Sequence, residues 1–134
     1  MDKLDDSAKI EAFLRGKGWP VTPLGPDTWR SSFRGSRGTL PLILRVEEGW
    51  VKLTVIPIAR MPADPQRAEG LYQRLLRLND EIMMARFSLD EDGDVLLSVE
   101  FPVADCDASE IQDSLDVLTF FAEKHQPEIK ELVG

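Results

Sequence analysis

Between Thr39 and Ile58 apolar residues fall on every second position in two successive runs, and a Glu48-Gly49 pair stands between them. In Thr39–Glu47, Leu40, Leu42, Leu44 and Val46 alternate with Pro41, Ile43 and Arg45. In Trp50–Ile58, Val51, Leu53 and Val55 alternate with Trp50, Lys52, Thr54 and Ile56. A period of two places each set on one face of a strand, and a short Gly turn reverses the chain. This stretch is therefore an antiparallel hairpin with one covered face, and the rest of the chain must cover it.

The flanking segments divide into more strands and three helices. Ser7–Arg15 carries Ile10, Phe13 and Leu14 at helical spacing behind the capping oxygens of Asp5, Asp6 and Ser7. Gly16 and Gly18 stop this helix, and Pro20, Pro23 and Pro26 prevent a restart. Asp27–Arg34 is the first strand, with Trp29 and Phe33 on one side, joined to the hairpin by Gly35-Ser36-Arg37-Gly38. From Gln66 to Asp80 the period changes, and Leu71, Tyr72, Leu75, Leu76 and Leu78 give a helix with a broad apolar face. Gly70 within it costs about 1 kcal/mol relative to Ala, which points to close packing there. Met83–Leu89 and Val95–Phe101 form a second hairpin around the polar tip Asp90-Glu91-Asp92-Gly93-Asp94, with Ala85, Phe87 and Leu89 expected toward the core. Asp107 caps the last helix, with Glu110 three residues on. Its stripe runs through Ile111, Leu115, Leu118, Ala122, His125, Ile129 and Leu132, and Pro127 should kink it or begin a short final turn. The order α-β-β-β-α-β-β-α predicts an α+β fold, an antiparallel sheet packed against helices. At 134 residues the chain is a single domain, 1–134.

Composition narrows the partners. With 16 Lys and Arg against 24 Asp and Glu, the formal charge is −8, which opposes direct nucleic-acid binding and anionic membrane. The opening Met1-Asp2-Lys3-Leu4-Asp5-Asp6 lacks the basic and apolar regions of a signal peptide, and the longest apolar runs are far short of a membrane span. A cytoplasmic location is expected, and the single Cys106 suits it.

No constellation of side chains carries chemistry, so neither an enzyme nor a cofactor or metal site is expected. The acidic hairpin tip has its Gly at the wrong place for a calcium loop and is flanked by strands. Gly35-Ser36-Arg37-Gly38 lacks the Gly-Lys-Ser/Thr ending of a phosphate-binding loop. His125, the only histidine, falls on the apolar stripe of the last helix and reads as structural. Cys106 lies between Asp105 and Asp107, which raises its pKa and makes it a poor nucleophile.

What remains is surface. With Leu42, Leu44, Val51, Leu53 and Val55 toward the helices, the other sheet face shows Ile43, Trp50, Ile56 and Leu96 among Arg45, Lys52 and Arg86. Apolar residues interleaved with charges on an open face suit partner binding. Two other readings are a ligand-responsive module holding an anion on the Arg34–Arg37 turn, Arg45 and Lys52, and single-stranded nucleic acid stacking on Trp29, Phe33 and Trp50 beside Arg30, Arg34 and Arg37.

The run Leu75-Leu76-Arg77-Leu78-Asn79-Asp80, followed by Ala85-Arg86-Phe87-Ser88-Leu89-Asp90, Asp92-Gly93-Asp94 and Val95–Pro102, resembles the YbjN-like family. The chain is also similar to type III secretion (Tir-type) chaperones, small acidic proteins with the same element order. The resemblance implies a non-enzymatic protein-binding chaperone or adaptor, commonly a homodimer, that holds an extended segment of a client. It implies contact through Ile10, Phe13 and Leu14 with Ile43, Trp50 and Ile56. Trp29 and Phe33 extend that contact surface in the aromatic, basic half of the chain. YbjN-like proteins are also described as sensory or stress regulators.

The charge is unevenly divided. Residues 1–60 hold ten Lys and Arg and seven Asp and Glu, whereas residues 61–134 hold six and seventeen. The acidic half would steer a basic client, such as a protein that handles nucleic acid, and the family resemblance extends the expected clients to stress-response proteins.

Overall fold

The computed structural model describes residues 3–134. Helix α1 spans Ser7–Gly16, capped by Asp6, whose carboxylate accepts from the Lys9 N–H. It ends where Gly18 takes a positive φ of 85° and the Trp19 N–H returns to the Leu14 carbonyl, a glycine stop that orphan carbonyls favour. Four strands follow: β1 (Thr22–Gly25), β2 (Thr28–Gly35), β3 (Gly38–Glu47) and β4 (Trp50–Arg60). Helix α2 spans Pro65–Glu81, β5 Arg86–Leu89, β6 Asp94–Pro102 and α3 Ala108–Val133. Every neighbouring strand pair is antiparallel, in the order β1-β2-β3-β4-β6-β5. The α+β architecture holds, with six strands in the sheet among the described residues.

The additional strand, β1, lies in the segment whose prolines predicted an irregular connection. Pro23 pairs with Trp29 at the sheet's outer edge. An edge strand tolerates Pro because one side of its backbone needs no partner. Between β3 and β4, Glu48 and Gly49 both take positive φ (52° and 82°), with Glu47 paired to Trp50. That two-residue turn matches the twist of its strands.

Paired residues share a sheet face, so one row runs Trp29–Leu44–Leu53–Val99 across β2, β3, β4 and β6. All four are buried, together with Leu42, Val55 and Leu97 of the next row. The helices cover this face. Ile10 and Leu14 come from α1, Leu71, Leu75 and Leu78 from α2, and Ile111, Leu115, Leu118, Ala122 and Ile129 from α3. Each fully buried aliphatic side chain contributes roughly 1.5–3 kcal/mol.

Four expectations change. Pro127 does not begin a separate turn, since α3 is one helix through it to Val133. Contacts on both sides of the proline hold it: the Gln126 amide donates to the Ile58 carbonyl at 3.1 Å, and Ile129 is fully buried. Gly70 meets no close neighbour, since a Cβ there would face open space. Leu89 is exposed at the end of the edge strand β5 rather than in the core. Finally, β5 begins at Arg86, and Met83 and Met84 are exposed in the segment before it.

Among the described residues no helix is long and apolar enough to cross a membrane.

Candidate functional site

The uncovered face of the sheet carries the other alternate positions. Arg30, Ile43, Thr54 and Ser98 form one row, and Arg45, Lys52 and Glu100 the next. Trp50 lies beyond them, between Glu47 and Pro102, and is 44 % exposed. Ile43, Ile56 and Leu96 are half-buried. With Arg45, Lys52, Thr54 and Asp90 they line a groove of about 320 Å³. The sequence placed Ile43, Trp50, Ile56 and Leu96 on this face; Ile43, Ile56 and Leu96 meet in the groove, and Trp50 stands apart at the sheet end.

The face is cationic around an apolar floor. Glu47 pairs with Arg45 at 3.3 Å and with Lys52 at 3.8 Å, and Glu100 pairs with Arg86. Arg30 makes no salt bridge among the described residues. The carboxylates of α3 and of the β5–β6 tip lie mostly elsewhere, on the helical side and at the sheet end.

The remaining expected contact residues lie apart from this face. Ile10, Leu14 and Trp29 are in the core, with 1, 0 and 3 % exposure. The Trp29 indole N–H donates to Glu11 on α1 at 2.7 Å, which fixes the ring beneath that helix. A client reaches these three only by displacing the core. Phe13 is half-buried on α1, with Lys17 5.7 Å above its ring, and lines a cavity with Lys3, Leu4, Lys9 and Ala12. Phe33 meets Trp19 edge-on at 6.4 Å and borders a hollow with Phe120 and Glu123 on α3.

Two alternative groupings come apart for the same reason. Trp29 and Phe33 point to the helical side of the sheet and Trp50 to the open side, so the three make no stacking platform. Arg45 and Lys52 line the groove, whereas Arg37 lies at the far end of β3 and Arg34 borders the Phe120 hollow. These cations do not converge on one anion.

Residues known for base or nucleophile chemistry are committed to structure. His125 is buried, stacks on Phe121, meets Phe87 edge-on, and approaches Glu128 with Nδ1 at 3.1 Å. Arg74 of α2 grips the same Glu128 carboxylate through two nitrogens at 3.0 and 3.1 Å. These hydrogen bonds, Arg74's first, hold the Glu128 carboxyl below its ordinary value despite partial burial. Burial, reinforced by Asp107 and Glu110, pushes the Cys106 thiol up to about 12.

Sequence reasoning did not find Phe120, which is well exposed beside the half-buried Phe121. Its position off the Ile111–Leu118–Ala122 stripe was the available signal. On α2, Tyr72 and Leu76 were grouped with the apolar face, but both are exposed one turn apart.

Comparisons with known proteins give this geometry a context. The model of the YbjN family, described as "Putative bacterial sensory transduction regulator", matches residues 6–131. A search of curated proteins finds no match. Among solved structures, one similar chain is in the heterodimeric ExoU-SpcU complex from the type III secretion system of Pseudomonas aeruginosa. It has 19 % identity and a TM-score of 0.66, with 88 % of this chain and 95 % of that chain covered. A chain of the ExsC-ExsE complex has 18 % identity and a TM-score of 0.63, covering 90 % and 93 %. The Yersinia pestis type III secretion chaperone SycH, solved with a fragment of YscM2, provides a third match. Its identity is 18 % and its TM-score 0.54, covering 87 % and 95 %. These likenesses show that the fold is that of the secretion chaperones.

Proposed function

The chain belongs to the YbjN family, and from that premise we propose that it is a non-enzymatic chaperone or adaptor whose uncovered sheet face holds a segment of a client protein. The observation that carries this reading is the one-sided sheet. All three helices pack on one face, and the other presents Ile43, Ile56 and Leu96 in a groove, with Trp50 at the sheet end. An apolar floor with a charged rim is the composition of a protein-binding surface. That the similar chains were solved in complexes with other proteins supports it.

The charge of the face selects the segment. Arg45 and Lys52 line the groove, and Arg30 and Arg86 share its sheet face at the two ends of the Ile43–Thr54–Ser98 row, so the seated stretch is apolar with carboxylates beside it. A client that is basic elsewhere would be steered by the acidic helical side. Nucleic-acid-handling proteins fit that description, and the family resemblance adds stress-response proteins.

Self-association has a separate location in this reading. Tyr72 and Leu76 on α2, with Met83 and Met84 following it, form an exposed apolar stretch away from the groove. In this reading a second copy of the chain covers it, and Leu76→Glu should give a monomer by light scattering where the wild type gives a dimer.

The client reading is tested by placing a photo-crosslinking residue at position 50 or 43, and at position 113 on α3 as a control. Positions 50 and 43 should trap the same protein, identified by mass spectrometry, and position 113 should not. Trp50→Asp should abolish its capture while leaving thermal unfolding unchanged. Undiminished capture by that variant would remove the sheet face from the mechanism.

A further inference from the structure

The β3–β4 ladder runs only from Glu47↔Trp50 to Leu42↔Val55. Beyond that pair both strands continue, β3 back to Gly38 along β2 and β4 on to Arg60 along β6. Hairpin register would set Pro41 opposite Ile56 and Leu40 opposite Pro57. Prolines have no N–H to donate to a ladder, so the strands part there like a fork. The gap is a cavity of about 340 Å³ lined by Gly38–Pro41 on one arm and Pro57–Arg60 on the other. Its floor is the buried pair Leu40 and Ile58, and the Gln126 amide of α3 takes up the Ile58 carbonyl that no strand pairs.

Three cations from three elements line this cavity: Arg37 from the β2–β3 turn, Arg60 from the end of β4 and Lys130 from the last turns of α3. Arg37 and Lys130 make no salt bridge among the described residues. Arg60 pairs with Asp94 at 3.5 Å and is largely exposed. The nearby Glu123 is engaged with the Ser36 N–H at 2.9 Å. In an acidic chain, three cations around one gap, two of them without a carboxylate, leave a local excess of positive charge. The volume lies at the small end of ligand clefts.

We propose that the fork is a binding site for a compact polyanion, a small molecule bearing two or more negative charges on phosphate or carboxylate oxygens. The site is distinct from the client groove, so it stands or falls independently of the client reading. Arg37 and Arg60 supply planar donor forks and Lys130 a point charge. The parted backbone lets a ligand enter between strands that elsewhere close against each other.

Isothermal titration of the full chain at low salt provides the test, with pyrophosphate and citrate as separate probes. Saturable one-to-one binding of either supports the site, and the tighter probe identifies the oxygen chemistry. Arg37→Gln and Lys130→Gln alter exposed side chains, and each should weaken binding about tenfold, the scale of one charge-assisted hydrogen bond. Arg77→Gln removes the same charge from the outer side of α2 and should leave affinity unchanged. No saturable heat with either probe overturns the proposal. So does equal weakening by Arg77→Gln, which would mean diffuse attraction rather than a site.

Discussion

Replacing Glu128 by Gln tests how the helical layer is joined. Glu128 stands on α3 and accepts two hydrogen bonds from Arg74 on α2, at 3.0 and 3.1 Å, while His125 approaches it at 3.1 Å. Gln keeps the shape and removes the charge. The Arg74 and Glu128 side chains are 33 % and 38 % exposed, so solvent screens their pairing, and its loss costs about 0.5–1 kcal/mol. His125 is buried, and weakening its hydrogen bond with Glu128 costs about 1 kcal/mol more. Together these give about 1.5–2 kcal/mol, a fall in Tm of about 5–8 °C for a domain of this size. The pH dependence has a definite sign. The folded Glu128 carboxyl titrates below its ordinary 4.5, chiefly through Arg74. Its contribution is therefore complete above that value and is lost as pH falls through the lower folded value. Urea unfolding of wild type and Glu128→Gln should differ by the full amount at pH 7 and converge at a pH well below the carboxyl's ordinary value. Arg74→Gln combined with Glu128→Gln should cost less than the sum of the single changes. An equal deficit at both pH values would show that packing, not charge, was lost, and the electrostatic account would be wrong.

Three further outcomes follow from local geometry. Gly70→Ala should raise stability by about 0.5–1 kcal/mol, because the added methyl enters open space on a helix; calorimetry measures it, and a loss would mean that the position is packed. Gly35→Ala should lower Tm, since its Cβ would stand 2.8 Å from a Glu123 oxygen that clamps the β2–β3 turn. The penalty should shrink in a Glu123→Ala background, and a background-independent penalty would point to the backbone instead. Cys106, fully buried with its thiol at about 12, should resist iodoacetamide at pH 8 until urea unfolds the chain; rapid native labelling would contradict its placement.

The legible parts of the fold are those where one signal decides. Alternation around Glu48-Gly49 specified the central hairpin and the membership of its faces, because a one-residue slip would turn every side chain over. Helix spacing identified Ile10 and Leu14 as one face but did not say which way that face turned. It turns inward, because the helical face of β2 needs a cover over Trp29. Strand β1 was hidden because Pro23 argues against a strand in general but not at an edge. The fork was readable in principle. Counting outward from Glu48-Gly49 sets Pro57 against Leu40, and the two prolines of the hairpin fall just past its last pair. The exposed Met83 and Met84 gave no such signal, since apolar residues beside a short edge strand look like part of it.

The uneven charge of the chain acquires its meaning from the topology. β2, β3 and β4 come from the mildly basic half and contribute Arg30, Arg45 and Lys52 to the open face. The acidic half contributes β6 to the middle of the sheet, where its open-face positions are Leu96, Ser98 and a Glu100 already paired with Arg86. Most remaining carboxylates ride on α2, on α3 and at the Asp90–Asp94 tip. Inserting β6 beside β4 therefore extends the apolar floor and adds one carboxylate to that face, Glu100, which pairs with Arg86. A net charge of −8 describes the molecule at a distance, where it repels nucleic acid and anionic membranes. Within a Debye length of about 8 Å a partner meets one face or the other, and the open sheet face joins apolar area to positive charge. Raising salt should therefore slow the approach of a client more than it loosens the seated complex, because the floor of Ile43, Ile56 and Leu96 is indifferent to ionic strength while the acidic helical side that orients the encounter is not.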